Sequence, residues 1–155
     1  MKFKDFIVFD ATMDDLPAAD KGELLRQMLE SLSAAGGLEK AQVPEALKAL
    51  MKRENLGSTG VGRGIAVPHT KYGSGDRVIG MLARSKSGVD FNAVDGEPVY
   101  IFFLVLSPEN SPALHLRALE YILLRMRREN FARFLKNARD KTELNDLLRE
   151  ADEYD

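Results

Sequence analysis

The chain has 155 residues, of which 45% are hydrophobic and 30% charged, a composition typical of a globular protein with one domain spanning 1–155. Its 22 Lys and Arg residues against 24 Asp and Glu give a formal net charge of −2, which excludes a global field that would attract nucleic acid or a membrane surface. The longest dense apolar run, Val99–Leu106, is too short to span a membrane, and the N-terminus lacks the apolar stretch of a signal peptide. We therefore expect a cytoplasmic protein.

Cysteine is absent from the chain, and histidine occurs twice. The absence of cysteine excludes disulfides, thiolate zinc sites, iron–sulfur clusters and a cysteine nucleophile within this chain. Two histidines exclude a metal site with three histidine ligands unless subunits share it. We therefore predict no metal and no cofactor, and the chemistry depends on where His69 and His115 lie.

The N-terminal part of the sequence predicts a strand, a loop and a helix. Phe6–Phe9 is a short β-rich run, and the acidic, proline-containing stretch 10–20 is typical of a loop. Asp20 and Glu23 resemble a capping box at the start of a helix that ends at Gly36. Along that helix the apolar residues recur at the spacing of one buried face: Leu24, Leu25, Met28, Leu29 and Leu32.

A second helix and three strands are predicted next. The helix starts around Pro44, which a first turn tolerates, and ends near 55–56. Four glycines in 57–64 predict a flexible turn, which leads into the short strand Ile65–Val67. Beyond a loop at 72–76, two near-continuous apolar runs are typical of strands buried on both faces of a sheet: Val78–Ala83 and Val99–Leu106.

The C-terminal third predicts three helices. Ser111 and Pro112 resemble the N-cap and first position of a helix that runs to about Arg127. Two shorter helices are predicted at Asn130–Ala138 and Thr142–Ala151. Helices, then strands, then helices predict an α/β or α+β domain, in which helices cover both faces of a mixed central sheet.

The glycine-rich segment and His69 form the first candidate site. Backbone N–H groups in glycine-containing turns can form a concave anion site, and glycine lets a ligand approach the backbone closely. Such a cradle suits a phosphate, and we expect Gly62 and Gly64 to contribute to it. Taken alone, four glycines can simply build an irregular loop, and a lone histidine is more often an ordinary strand-end residue.

His115 strengthens the case for an anion site. It lies in the first turn of the helix predicted from Ser111, on or beside the buried stripe. A helix N-terminus favours anions and lowers the basicity of a nearby imidazole. Both histidines thus lie at element termini suited to anions, which favours a shared phosphate site. Arg53, near the end of the second helix, is a third candidate because a guanidinium can clamp phosphate oxygens, although alone it is better explained as a solvated helix-end cation.

Other motifs do not support a different chemistry. Residues 60–64 are not the dinucleotide-binding fingerprint GxGxxG, and the sequence contains no P-loop, no HExxH motif and no GxSxG elbow. A metal-dependent hydrolase that uses both histidines and a carboxylate stays open as a weak alternative. From His115 to Arg139, seven cations stand against two acids. Such a run is commonly a solvated face, and its alternative is a docking surface for an acidic partner.

One continuous segment of the sequence resembles a known family. The run Arg53–His69 reads Arg-Glu-Asn-Leu-Gly-Ser-Thr-Gly-Val-Gly-Arg-Gly-Ile-Ala-Val-Pro-His, and His115 with Leu116 follows at the start of a helix. These motifs resemble the enzyme IIA domain of the fructose, mannitol and nitrogen-regulatory branch of the bacterial phosphotransferase system. The resemblance spans about Phe6 to Leu148, and the central run is specific.

The resemblance implies a phosphocarrier domain in which a histidine accepts phosphate from the phosphocarrier protein HPr, itself charged from phosphoenolpyruvate by enzyme I. By position in the motif, His69 is the phosphorylated residue, His115 supports the phosphoryl group without carrying it, and Arg53 helps to hold it. Ser58 and Thr59 belong to the same motif and are expected near the site. The chemistry agrees, since phosphoryl transfer needs in-line positioning and charge stabilisation and can proceed without a metal.

The chain departs from the family pattern in two respects. Many relatives have glycine directly after the phosphorylated histidine, where this sequence has Thr70. The sugar-specific route passes phosphate to an enzyme IIB domain, often through its cysteine, and this chain carries no such domain. We therefore expect the nitrogen-regulatory type, whose output is phosphorylation-dependent binding to other proteins, and a separate enzyme IIB stays open as an alternative partner. The alternative is a IIA-like binding module that does not transfer phosphate.

Overall fold

The computed structural model describes residues 1–17, 19–73 and 75–154. Ala18, in the predicted loop 10–20, and Ser74, in the predicted loop 72–76, lie outside the described residues. The helices are α1 (Phe3–Phe6), α2 (Lys21–Ala34), α3 (Val43–Leu56), α4 (Pro112–Met126), α5 (Glu129–Asn137) and α6 (Lys141–Ala151). The strands are β1 (Gly60–Gly62), β2 (Ile65–Ala66), β3 (His69–Lys71), β4 (Ile79–Val89) and β5 (Val99–Ser107).

Strand β5 is the centre of the sheet. Strand β4 pairs antiparallel with it over nearly its whole length, from the pair Ile79–Leu106 to the pair Val89–Val99. Because β4 occupies one edge of β5, the short strands β2 and β3 share the other edge, where both run parallel to β5. Strand β1 adds an antiparallel partner outside β2. The predicted mixed sheet is therefore confirmed.

Alternate residues of β5 face two separate cores. Phe102 and Leu104 pack with α2 and α3, whereas Phe103 and Val105 pack with α1, α4, α5 and α6. Successive side chains of a strand point to opposite faces, so an uninterrupted apolar strand is needed to fill both cores. Helices on both faces of a mixed sheet confirm the predicted fold class. In the part of the chain described, no helix combines the length and apolar character that crossing a membrane requires.

The predicted strand Phe6–Phe9 is wrong. The chain forms helix α1 first, and Ile7 alone then bridges to β4. Phe3 is fully buried in the second core. The Asp152 carboxylate accepts hydrogen bonds from the backbone N–H groups of Phe3 at 2.8 Å and Lys4 at 2.9 Å. A carboxylate from the other end of the chain thus satisfies the first turn of this helix, as a cap does.

The glycine-rich segment is more regular than the flexible turn that the sequence predicts. Residues Gly60–Gly62 form β1, and a two-residue turn at Arg63 and Gly64 leads the chain into β2. Both turn residues have positive φ, 61° and 80°, the conformation that two-residue hairpins favour. The Asp95 carboxylate accepts a hydrogen bond from the N–H of Arg63 at 2.9 Å, which fixes the hairpin.

Strand β4 is longer than the predicted Val78–Ala83, because it continues through a buried arginine. Arg84 is fully buried, and its Nε donates to the carbonyl of Asp14 at 2.6 Å. Its Nη1 donates at 2.8–3.1 Å to three carbonyls at the end of α5: those of Leu135, Lys136 and Ala138. The five predicted helices correspond to α2 to α6. Each begins and ends within about two residues of its predicted bounds, which is the usual uncertainty in helix ends.

Candidate active site

The two histidines of the chain meet in one pocket. His69 begins β3 and pairs with Val105 of β5, and His115 lies in the first turns of α4. The centroids of the two imidazole rings are 5.3 Å apart, as a shared site requires. The pocket is open, holds about 300 Å³, and is lined by Ala49, Lys52, Arg53, Leu56, His69, Thr70, Lys71 and His115.

The His69 ring is held by the backbone through one nitrogen. Its Nδ1 lies 2.6 Å from the carbonyl oxygen of Val67. A carbonyl oxygen can only accept a hydrogen bond, so the ring hydrogen is on Nδ1, and Nε2 of the neutral ring keeps a free lone pair. Burial lowers the pKa of His69 below its ordinary value; the Arg53 charge acts in the same direction, and the Val67 hydrogen bond and the Glu54 carboxylate oppose it. The ring is therefore neutral at pH 7 and is a competent nucleophile.

His115 is almost enclosed, with 8% of its surface exposed. Its Nδ1 lies 2.6 Å from the hydroxyl oxygen of Ser107, the last residue of β5. Burial lowers the pKa of His115 to about 4; the charge that His69 gains when it is protonated and the charge of Lys71 act in the same direction. Sequence reasoning expected a lowered basicity from the helix N-terminus, whereas burial is the main cause. A neutral His115 carries a single ring N–H at pH 7.

Cations line the mouth of the pocket. Arg53 lies in the last turn of α3, where its Nη1 donates to the carbonyl of Gly57 at 2.8 Å. A guanidinium has five N–H groups, so this bond leaves others to bind an anion. Lys52 and Lys71 add two positive charges to the lining, and no acidic residue lines the pocket within the described ranges. Sequence reasoning missed Lys71, although its position two residues after His69 in a strand places both side chains on one face.

The hydroxyl groups of Ser58 and Thr59 are used inside the fold and do not line the pocket. Ser58 Oγ donates to the carbonyl of Phe91 at 2.8 Å. Thr59 Oγ1 donates to the carboxylate of Glu54, and the Thr59 N–H donates to the same carboxylate at 3.2 Å. Glu54 is buried and also binds Lys21 Nζ at 2.9 Å. This glutamate, which the sequence pattern does not single out, fixes the start of the glycine-rich segment.

Gly62 and Gly64, expected in the phosphate cradle, lie away from the histidine pocket. They belong to the β1–β2 hairpin, and β2 meets β5 at Ile101, whereas β3 meets it at Val105. Four strand residues at roughly 3.3 Å each separate these positions by about 13 Å. The positive φ values of the two glycines, 94° and 80°, suit the hairpin turn. Gly64 is a turn residue and Gly62 ends β1 beside the turn, and neither lines the histidine pocket.

The other candidates raised by the sequence also lie outside the pocket. Among the seven cations between His115 and Arg139, Arg125 lies 4.3 Å from the Tyr121 ring and Lys136 lies 3.9 Å from the Tyr100 ring. None of the seven lines the histidine pocket. Across residues 1–17, 19–73 and 75–154, no group of three or more His, Asp or Glu side chains is placed to hold a metal ion.

Known proteins resemble this chain over most of its length. A family model described as "Phosphoenolpyruvate-dependent sugar phosphotransferase system, EIIA 2" matches residues 8–151. A nitrogen regulatory protein of Bradyrhizobium diazoefficiens is 32% identical over 148 residues, which cover 96% of this chain and 95% of that protein. The fructose-specific EIIABC component of Bacillus subtilis is 29% identical, and the match covers 98% of this chain and 24% of that protein. The crystal structure of the nitrogen regulatory protein IIA-Ntr of Neisseria meningitidis has a TM-score of 0.80 and 28% identity, covering 92% of this chain and 96% of that one.

Proposed function

Because this chain belongs to the EIIA 2 family of the phosphoenolpyruvate-dependent sugar phosphotransferase system, we propose that it is a cytoplasmic histidine phosphocarrier that accepts a phosphoryl group from HPr on His69. The observation that carries the proposal is the pair of imidazole rings 5.3 Å apart. They share a pocket whose charged lining residues, among those that the structure describes, are all cations. That charge favours a phosphoryl group over a neutral or cationic ligand.

His69 Nε2 is the attacking atom. Its lone pair forms the new N–P bond while the donor's N–P bond breaks, and the bonding pair of the broken bond returns to the donor's histidine nitrogen. The His69 Nδ1–H stays on the Val67 carbonyl, 2.6 Å away, and this bond strengthens as the phosphorylated ring gains positive charge. No general base is needed, because the ring is neutral before it attacks.

Arg53 and His115 hold the transferred group. In a loose phosphoryl-transfer transition state the charge is spread over three equatorial oxygens, so catalysis consists mainly of positioning and charge stabilisation. The Arg53 guanidinium offers planar N–H pairs to those oxygens. His115 offers one N–H from inside the pocket, at a fixed distance from the His69 ring.

We propose regulation as the main output of the phosphorylation. A phosphoryl group adds about two negative charges near pH 7, and it does so in a pocket whose lining includes the exposed apolar side chain Leu56. The added charge offsets that of the cations lining the pocket, so a partner protein that contacts the pocket meets a different local charge after phosphorylation. The two nitrogen regulatory relatives support this output. The fructose-specific relative supports a second candidate, transfer to a separate enzyme IIB in sugar uptake.

Incubation with phosphoenolpyruvate, enzyme I and HPr tests the proposal. We expect an acid-labile gain of one phosphoryl group by mass spectrometry, and none in His69→Ala. Arg53→Ala and His115→Ala are expected to slow labelling by roughly 10²- to 10³-fold without abolishing it, because each removes one stabilising donor. Arg63→Ala, in the distant β1–β2 hairpin, is the matched control and should label at the wild-type rate. An unlabelled wild-type protein, or full labelling of His69→Ala, would refute the proposal.

A further inference from the structure

We propose that Ser107 is a positioning residue for phosphoryl transfer, because its hydroxyl holds His115 in the tautomer that presents Nε2–H to the pocket. The proposal rests on the proposed function and adds a residue outside the Arg53–His69 motif. Ser107 is fully buried, and its Oγ lies 2.6 Å from His115 Nδ1. No other hydrogen-bond partner of the His115 ring occurs in the described part of the chain.

The position of Ser107 is set by the sheet. Ser107 pairs with Lys71 at the end of the β3–β5 ladder. Its carbonyl accepts a hydrogen bond from the Tyr72 N–H at 2.7 Å. The same strand pairing places His69 opposite Val105. One rigid ladder therefore fixes both the nucleophile and the hydroxyl that holds the second imidazole, which is the arrangement expected of a preorganised site.

The two tautomers of His115 differ in what they offer an anion. With the hydrogen on Nδ1, the ring donates to Ser107 Oγ and turns the Nε2 lone pair toward the phosphoryl oxygens, which repels them. With the hydrogen on Nε2, the Ser107 O–H donates to Nδ1, and Nε2–H donates to a phosphoryl oxygen. A serine hydroxyl can donate, so it satisfies buried Nδ1 in the second tautomer. An alanine there would leave this nitrogen without a partner, at a cost in either tautomer.

The Nδ1 atoms of the two rings thus have opposite roles: that of His69 donates a hydrogen bond, and that of His115 accepts one. Val67 offers His69 Nδ1 a carbonyl, which only accepts, and His69 Nε2 is left with a lone pair. In the tautomer we propose, the Ser107 hydroxyl, 2.6 Å from His115 Nδ1, donates to it, and His115 Nε2 is left with a hydrogen. One ring therefore attacks phosphorus while the other binds an oxygen of the same group.

Nitrogen-15 NMR of the imidazole rings in the unphosphorylated protein tests the tautomer directly. We expect His115 to carry its hydrogen on Nε2 in the wild type and in Ser107→Thr, which keeps the hydroxyl. In Ser107→Ala we expect a mixture of the two tautomers. A wild-type ring protonated on Nδ1, or an unchanged spectrum in Ser107→Ala, overturns the proposal. The NMR spectrum does not depend on phosphoryl transfer, so it tests the tautomer separately from the proposed function. An absence of labelling on His69 in the wild type would refute the proposed function.

The rate of labelling by phosphorylated HPr tests the consequence for transfer. We expect Ser107→Ala to slow labelling about tenfold, the size of one ordinary hydrogen bond, and Ser107→Thr to restore the rate. In a His115→Ala background, Ser107→Ala should cause no further slowing, because its effect acts through that ring. If Ser107→Ala slowed labelling equally in the wild-type and His115→Ala backgrounds, its role would be merely structural and the proposal would be overturned. This comparison does not require Ser107→Thr to fold.

Discussion

Acidification should destabilise this protein in part through His115, and His115→Asn should remove that part. Burial lowers the pKa of His115 in the folded chain to about 4, whereas an unfolded histidine titrates at about 6.5. Between these two pH values the unfolded state binds a proton that the folded state does not, so falling pH favours unfolding. The effect begins as the pH falls through about 6.5 and is complete below about 4.

The linkage relation gives the size of this loss of stability. At about pH 5 an unfolded histidine is almost fully protonated and folded His115 is almost fully neutral, which lowers the free energy of unfolding by about 2 kcal/mol relative to pH 7.5. Below about pH 4 the loss approaches roughly 3 kcal/mol, since each tenfold change in proton affinity is worth about 1.4 kcal/mol. For a domain whose total stability is about 5–15 kcal/mol, this is a measurable fraction.

Urea denaturation of the wild type and of His115→Asn at pH 7.5 and pH 5 measures the difference. Asparagine places a polar atom close to the position of Nδ1, so it can still bond to Ser107, and it does not titrate. The carboxylates titrate in both proteins, so their contributions cancel in the comparison, whereas His69 is coupled to His115, so the difference reports the two imidazoles together. We expect the wild type to lose about 2 kcal/mol more than the variant on acidification. Equal losses in the two proteins would refute the assignment of a buried, neutral imidazole.

Two further predictions concern buried charges. Arg84→Met should lower the free energy of unfolding by about 3 kcal/mol, because four carbonyls, those of Asp14 and of the end of α5, lose their donor; a loss below about 1 kcal/mol in urea denaturation would contradict the role given to this arginine. Glu54→Gln should cost roughly 1–3 kcal/mol and slow the labelling of His69, because Lys21 and Thr59 lose their carboxylate partner. Glu45→Gln, on the same helix, is its control, and a Glu54→Gln protein as stable and as fast as the wild type would argue against that role.

Periodicity predicts α2 to α6 well because each carries a continuous apolar stripe that packs against one face of the sheet. It fails at α1, because Asp152, from the far end of the sequence, holds the first turn of that helix. It also ends β4 too early, because Arg84 has the appearance of a solvated residue until the carbonyls around it are known. In both cases the deciding contacts are long-range.

The residues of the candidate site also divide into those with a local sequence signal and those without one. His69 and Arg53 belong to one contiguous run, and His115 lies beside recognisable helix-start residues, so local reasoning finds all three. Ser107 and Glu54 are not singled out, because a buried serine at a strand end and a glutamate on a helix resemble ordinary residues until the fold brings His115 to the first and Lys21 to the second. Glycine content alone misleads at 60–64, where positive φ serves a hairpin rather than an anion.

The antiparallel pairing of Gly60 with Ala66, extended by one step, makes Thr59 and Val67 neighbours across the ladder. One of the two hydrogen bonds of such a pair is formed, since the Val67 N–H donates to the Thr59 carbonyl at 3.0 Å. The Thr59 N–H donates to the Glu54 carboxylate instead of forming the reciprocal bond, and the Val67 carbonyl accepts from the His69 ring. One backbone carbonyl beside this incomplete strand pair thus decides which imidazole nitrogen keeps its lone pair.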